Sequence, residues 1–586
     1  MPENERSRMS DAPERNYTIG SPQYYIAHYY QFLSGFPDHL GIHAGGIVIS
    51  EEPLSQYTAL YMPPKGFATT QIDMYFADEI GLYKLDILSQ RGLGHIWESL
   101  DIIRRNRGIT INIHDVERFK NDPNVNHNLS AGNSIGCFYI ESPAMRHVLQ
   151  KLHCEDYDTL VAASSIIRPG VGRSGMMNAY ISRHNKTKYH SLHPELARIL
   201  RSTYEVMVYQ EDIIRVVHEW AGLSMAEADL LRRATSFKYR VKDQMGFLKD
   251  RFFSACHKKG YKQSISAEVW RQIESFAEFS FCKAHSASFA VESYQSLYLK
   301  TYYPKEFMVA VINNFGGFYG TELYFYELQK TGALVHPPCV NSSMMSTHIN
   351  GDDVFVGFQH VKNLRAQVAD RIISERASRG HYGGLQDFIQ RSGITDEQCR
   401  ILIRVGALRF TGQDKKTLLW ELAVFAYHRE PLGRIKNSLF RSHMVASQIP
   451  TLPEYQLDDA YDELEILEFP TSNPFHLVDD DPGLYVPANK LRDHVGRKVT
   501  VLGYHVTHKP VRTVSGERMS FGTFIDAAGN WIDSVQFPDT HNRVTAKAGF
   551  YRITGTVIED FGVFSLEAAQ FERVGLKHRR SALKRK

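Results

Sequence analysis

Residues 81–88 read Gly-Leu-Tyr-Lys-Leu-Asp-Ile-Leu. As a strand, with side chains alternating between faces, the stretch places Leu82, Lys84 and Asp86 on one side and Tyr83, Leu85 and Ile87 on the other. Lys and Asp are depleted in strands and almost never buried unpaired. A lysine and a carboxylate on one face therefore mark either a solvent edge or a face that meets charge, such as a phosphate or a metal. Upstream, His43-Ala44-Gly45-Gly46-Ile47-Val48-Ile49-Ser50 joins a glycine pair to a β-branched run, which predicts a turn entering a second strand. Together they predict a small sheet layer before residue 90. Further upstream, the aromatic-rich stretch from Gln23 to Phe36 predicts a helix closed by Gly35, preceded by a disordered tail.

Downstream, helical periodicity dominates from Leu93 to about Pro304, interrupted by glycine-rich loops. Gly132-Asn133-Ser134-Ile135-Gly136 leads into Cys137-Phe138-Tyr139-Ile140-Glu141-Ser142 and then a helix from about Ala144 to Leu152. The loop from Arg168 to Gly175 carries Arg168, Arg173 and three glycines. Glycine lets backbone approach an anion, and arginine supplies forked donors for phosphate, but a plain surface turn has the same composition. Ser224-Met225-Ala226-Glu227 is a capping box, so a helix starts there and carries Arg232 and Arg233, which either straddle a triphosphate or are solvated. Lys283 and His285 precede a helix whose apolar positions, Ala287, Ala290, Val291, Tyr294 and Leu297, keep helical spacing until Pro304 stops it. A helix N-terminus beside a lysine is a ready anion site.

Beyond Pro304 the pattern changes. Residues 350–430 predict short helices joined by tight hairpins, including Phe358 to Arg376 and Glu397 to Leu408 with Gly406 in a turn. A polar, acidic, Pro-containing linker follows at about 441–485. Five strands are then predicted, Lys498–Val506, Arg518–Ile525, Trp531–Phe537, Gly549–Ile558 and Gly562–Ala568, which suit a small barrel of the oligonucleotide-binding (OB) type. The chain ends in a basic stretch, Lys577 to Lys586.

Composition narrows the class. The 586 residues are 43% hydrophobic and 23% charged, ordinary globular usage with length for two to four domains, and the net charge of +3 is too small to select a partner. No apolar run reaches the ~18–20 residues of a membrane span. Met1 to Arg15 is polar with both signs of charge, unlike a signal or transit peptide, so a cytoplasmic site is expected. The six cysteines are scattered without a C-x-x-C pair and read as reduced thiols rather than a zinc site or disulfide framework.

In order, HAGGIVIS, GLYKLDIL, GNSIGCFYIES, SIIRPGVGRSGM, YQED, AEADLLRRA and FCKAHSASFAVESYQSLYLKTYYPKEFM resemble successive palm and fingers segments of the bacterial C-family DNA polymerases, the alpha subunit of DNA polymerase III. The match runs from about residue 37 to the end. It implies an α+β multidomain chain: a tail and thumb remnant at 1–36, a partial palm sheet at 37–95 and large, mainly helical fingers at 96–345. A tandem helix-hairpin-helix region at 346–430, a linker at 431–488, an OB-type β-barrel at 489–575 and a basic tail at 576–586 complete it. The C-terminal end, directly after the barrel, is similar to the shorter, error-prone members, which would bring roles in repair and translesion synthesis.

The resemblance assigns roles. Asp86 would be a palm aspartate that shares two Mg²⁺ ions with two other carboxylates, and Lys84 would meet a phosphate. Arg232 and Arg233 would hold the triphosphate of the incoming deoxynucleotide, with Lys283 and His285 nearby and Arg168 and Arg173 as further template or nucleotide contacts. Primer-template DNA would be the partner.

This sequence departs from the family in several places. The D-x-D palm segment that carries the other two catalytic aspartates, and the phosphoesterase-like domain before it, have no counterpart. Asp156/Asp158 falls in a helix-capping patch and Asp479/Asp481 in the linker. Polymerisation is therefore expected only with a separate chain supplying the missing palm; the alternative is a noncatalytic DNA-binding protein with a decayed polymerase body. Val361-Lys362-Asn363-Leu364-Arg365 replaces the glycines of a hairpin tip, and Lys436-Asn437-Ser438-Leu439-Phe440 looks like a sliding-clamp peptide with Lys for Gln, leaving Leu439 and Phe440 as candidate clamp contacts.

Overall fold

The computed structural model describes residues 20–36, 41–64, 66–167, 175–186, 189–234, 245–275, 282–429, 453, 455–513, 515–541 and 548–579. The chain divides into two compact units, residues 1–90 and 91–586. No helix among the described residues is long and apolar enough to cross a membrane.

The first unit begins with helix α1 (Pro22–Leu33), entered through Ser21, whose hydroxyl accepts from the Tyr24 amide, and left before Gly35 at φ +90°. Strand β1 (Gly46–Ile49), the short pair β2 (Leu60–Tyr61) and β3 (Thr69–Thr70), helix α2 (Met74–Glu79) and strand β4 (Tyr83–Asp86) follow. β1 and β4 pair antiparallel with Gly46 opposite Asp86 and Val48 opposite Lys84, so the two opening motifs are one ribbon. Among the described residues of this unit only Pro63, Ala77 and Leu82 are buried apolar side chains. The face of the ribbon carrying Ile47, Ile49, Tyr83, Leu85 and Ile87 is open, with Tyr83 74% and Ile87 65% exposed. The alternation of 81–88 was correctly read, but the apolar face is the uncovered one.

The second unit is organised on a long buried helix. Helix α3 (Arg91–Arg107), α4 (Pro143–Lys151), α5 (Tyr157–Ile166), α6 (Gln210–Arg215) and α7 (Met225–Ala234) precede α8 (Lys283–Tyr302), which packs against α3 and α5 and buries Ala290, Tyr294 and Leu297. Pro304 ends it and opens α9 (Pro304–Asn313) as its first residue, where the missing amide costs nothing. The Ser224/Glu227 capping box forms, with Glu227 Oε2 2.9 Å from the Ser224 amide. Helix α10 (Thr321–Lys330) leads to a three-stranded sheet of β5 (Leu334–His336), β6 (His348–Asn350) and β7 (Asp353–Phe355), in which β7 is central.

Two hairpins follow. The predicted span Phe358–Arg376 breaks into a 3₁₀ turn (Phe358–His360) and helix α11 (Ala366–Arg379), with the hairpin tip between them. Asn363 stands at φ +62° at that tip, so it takes the left-handed turn that glycine supplies elsewhere. The second hairpin joins α12 (Leu385–Ser392) to α13 (Asp396–Arg404) through Gly393. Within the predicted linker, the described residues 455–488 include packed structure. Helix α14 (Asp458–Ile466) docks on the hairpins, where Asp462 pairs with Arg404 at 2.8 Å and the Ile466 carbonyl accepts the Lys362 amide at 2.9 Å. Ile466, Leu467 and Phe469 join the main core. The start of the basic tail is engaged as well, with Arg579 paired to Asp458 and Asp462. Two predictions, the Leu439/Phe440 peptide and the rest of the tail, lie outside the described residues.

The barrel closes in the order β10-β12-β11-β8-β9, from β8 (Lys498–Arg512), β9 (Arg518–Ile525), β10 (Trp531–Gln536), β11 (Phe550–Asp560) and β12 (Val563–Val574). Its first and last strands run on beyond the predicted ends, to Arg512 and Val574. It sits against α4, where the Arg146 guanidinium lies 4.0 Å over the Trp531 ring and His147 Nε2 is 2.7 Å from Asp533 Oδ2.

Candidate catalytic and nucleotide-binding sites

In the first unit, Lys84 and Asp86 face each other. Lys84 Nζ lies 2.7 Å from Asp86 Oδ1 and 2.9 Å from Oδ2, and His43 Nε2 approaches Oδ1 at 3.7 Å. Lys84 beside Asp86 holds its carboxyl below the usual carboxylate range by hydrogen bonding first and by charge, with His43 adding to it. Nearly half of the Asp86 side chain is open to solvent. Among the described residues no group of three His, Cys, Asp or Glu is placed to hold a metal ion. The donor chemistry fits Mg²⁺ in kind, an exposed ionised carboxylate, but contributes one such ligand.

His43, not singled out from sequence, is the second group at Asp86. The signal was present in HAGG, because the turn that brings β1 to β4 also brings His43 there and its Nδ1 accepts the Gly45 amide at 3.2 Å. Gly45 is required by closeness. A Cβ there would lie 2.1 Å from the Ile87 carbonyl oxygen and 2.9 Å from its carbon, both backbone. Gly45→Ala is therefore expected to force β1 from β4 at a cost of about 1–3 kcal/mol, read as faster hydrogen exchange at the Ile47 and Ile49 amides.

In the second unit, two of the predicted basic residues, Arg232 and Lys283, meet one short segment, Tyr209-Gln210-Glu211-Asp212. Asp212 is buried and accepts the Val208 and Tyr209 amides at 2.9 Å each, which fixes the segment at the start of α6. Burial pushes its carboxyl up, opposed by those two amides. From this segment, Gln210 Oε1 accepts from Arg232 at 3.0 Å. Glu211 accepts the Lys283 amide through both oxygens, at 2.9 and 3.1 Å, and Lys283 Nζ lies 5.4 Å from the centroid of the Tyr209 ring. Arg232 and Arg233 both pair with Asp229 one turn earlier on α7, at 2.8 and 2.6 Å. His285, on the first turn of α8, packs edge-on against Phe289 at 4.5 Å between centroids.

The expected anion site at the start of α8 is thus filled by a carboxylate of the same chain. Glu211 reaches it from 72 residues away, a pairing no local pattern signals. Asp229 and Glu211 thus occupy donors of the kind that phosphates also use. Arg168 and Arg173 lie outside the described residues.

The comparisons follow this geometry. The family described as the bacterial DNA polymerase III alpha subunit finger domain matches residues 92–260, which hold α7 and the Tyr209–Asp212 segment. The one described as the bacterial DNA polymerase III alpha NTPase domain matches residues 5–89, which hold the β1–β4 ribbon. The chain belongs to the DNA polymerase III alpha family. A helix-hairpin-helix motif family matches residues 332–418, where the two hairpins are found. Among curated relatives, the DNA polymerase III subunit alpha of Aquifex aeolicus (strain VF5) is 31% identical over 523 residues, covering 87% of this chain and 43% of the relative. That of Staphylococcus aureus (strain MSSA476) is 30% identical over 518 residues, covering 86% and 47%. The chain therefore spans less than half the length of the DNA polymerase III alpha relatives it matches. The division of the chain at residues 90 and 91 falls between the two polymerase matches.

Proposed function

We propose that the chain is part of a DNA-directed DNA polymerase that adds deoxynucleotides to a primer 3′ end by a two-metal mechanism, with the remaining palm aspartates supplied by a further polypeptide segment. The observation that carries this reading is the β1–β4 ribbon. One face presents Asp86 with Lys84 and His43, and the opposite face presents Ile47, Ile49, Tyr83, Leu85 and Ile87 to solvent. A unit whose described residues bury three apolar side chains, Pro63, Ala77 and Leu82, has too small a core to offset its chain entropy, so another polypeptide surface completes it.

In this reading Asp86 would hold Mg²⁺, which would supply Lewis-acid stabilisation of the transferring phosphoryl group and its leaving pyrophosphate. Lys84, released from Asp86, meets a phosphate. Arg232 and Arg233 release Asp229 and take the triphosphate, Lys283 and His285 flank it, and Arg168 and Arg173 serve template or nucleotide. The hairpins and barrel hold primer-template DNA through backbone contacts, and Leu439 and Phe440 are offered to a sliding clamp.

Mixing this chain with a polypeptide carrying the D-x-D palm segment of the family is expected to give Mg²⁺-dependent primer extension that neither gives alone. Salt-sensitive DNA binding with no extension in any mixture would replace this reading with the noncatalytic one.

A further inference from the structure

We propose that Tyr139 is a base-stacking residue that reads the nucleobase of the incoming nucleotide. The inference rests on the nucleotide-site reading above and extends it from the phosphates to the base.

Tyr139 stands at φ +69°, a conformation that a bulky aromatic residue rarely adopts. Its neighbours hold it there. The Phe138 carbonyl accepts from Ser293 of α8 at 3.0 Å, and the Ile140 carbonyl accepts from Ser134 at 2.6 Å. Glu141 is buried and accepts the Gly136 amide at 2.8 Å and the Phe318 amide at 2.6 Å. Ile140 is fully buried, yet the Tyr139 ring is only half-buried, so the strained backbone does not serve core packing. What it does is aim the ring at the first turns of α8. The Tyr139 ring lies 5.3 Å from Phe289 and 6.3 Å from His285, with Phe138 at 5.9 Å.

The four rings form one aromatic surface, and its His285 end is two residues from Lys283. Both residues lie on the first turn of α8, about 3 Å apart along its axis, so the aromatic surface ends at the helix start where Glu211 accepts the Lys283 amide, and a nucleotide whose phosphates take the place of Glu211 has the rings beside its base. Every nucleobase has a π-face, so rings in this position bind bases of any identity and bind larger ones better. A left-handed position filled by glycine or asparagine would place the loop equally well without supplying the ring.

The test is equilibrium binding of dATP, dCTP and inorganic triphosphate to the full chain and its variants. Tyr139→Asn removes the ring while tolerating the left-handed backbone, and Tyr139→Phe keeps the ring. Tyr139→Asn is expected to weaken dATP about tenfold or more, dCTP less, and inorganic triphosphate less than about twofold, with Tyr139→Phe close to wild type throughout. Unchanged dATP affinity in Tyr139→Asn, or an equal loss of all three ligands, would overturn the proposal, the second because it would mark Tyr139 as structural. Failure of the unmodified chain to bind triphosphate, with Arg232→Ala making no difference, would instead remove the nucleotide-site reading and this proposal with it.

Discussion

Replacing Asp86 with Asn is expected to lower primer extension by the reconstituted polymerase at least 100-fold, while leaving its folding and its DNA binding close to wild type. The amide has the size and shape of the carboxylate, and the register that sets Gly46 against Asp86 is made by backbone, so β1 and β4 stay paired. Lys84 loses a partner on an open surface, where the pair is screened by solvent and contributes little. What disappears is the one negative charge that this ribbon gives to a metal. In the free chain Lys84 first, and His43 less, hold that carboxyl below its ordinary range. A neutral amide can still accept a hydrogen bond from the lysine but binds a divalent cation far more weakly than a carboxylate does. Single-turnover extension with matched amounts of wild-type and variant chain, alongside a melting curve for each, separates lost chemistry from lost structure. Undiminished extension by Asp86→Asn would show that Asp86 is not a metal ligand.

Local chemistry made much of the fold legible. Ser224 and Glu227 announced the start of α7, Pro304 the end of α8, and five β-rich runs the closed barrel. The same local signals failed wherever the deciding partner is distant. Period-two alternation in residues 81–88 separated two faces of β4 but carried no information about which face is covered. The acidic run at 458–466 reads as a solvated linker until Arg404, Lys415 and Arg579 are found around it. Asn363 at a hairpin tip looked like the loss of a glycine and is its substitute. Around the start of α8, the sequence singled out Arg232, Arg233, Lys283 and His285 but not Glu211, because a carboxylate that caps a helix 72 residues away leaves no trace in spacing. Tyr139 was hidden for a related reason: its backbone conformation is imposed by contacts on both sides, and no tyrosine announces φ +69°.

Glu292 provides a second large effect, on stability and with a definite pH dependence. It lies on α8 with its side chain 6% exposed, and its Oε1 has no hydrogen-bond partner among the described residues. Room for it comes from Gly92 on α3, where a Cβ would lie 2.2 Å from that oxygen and 2.6 Å from the Phe138 ring. Burial pushes its carboxyl up to about 7, against 4.5 when free in water. A carboxyl that binds its proton more tightly when folded favours the folded state below its unfolded pKa and loses that advantage as pH rises through the folded one. Between about pH 4.5 and 7 the native protein therefore holds a proton that the unfolded chain has released, and stability falls as pH rises. His95, buried on α3 and held down to about 4, acts with the opposite sign over much of that range, so the wild-type profile alone conceals both groups. Glu292→Gln isolates one of them, because the amide fills the same space and never ionises. The variant should match the wild type near pH 4 and become the more stable of the two as pH rises, by about 3 kcal/mol above pH 7. Denaturant unfolding of both proteins in parallel at pH 4, 5.5, 7 and 8 reads this as a widening gap between midpoints. A gap that stays constant across that range would mean that Glu292 keeps its charge when folded, by finding a partner that neutralises it.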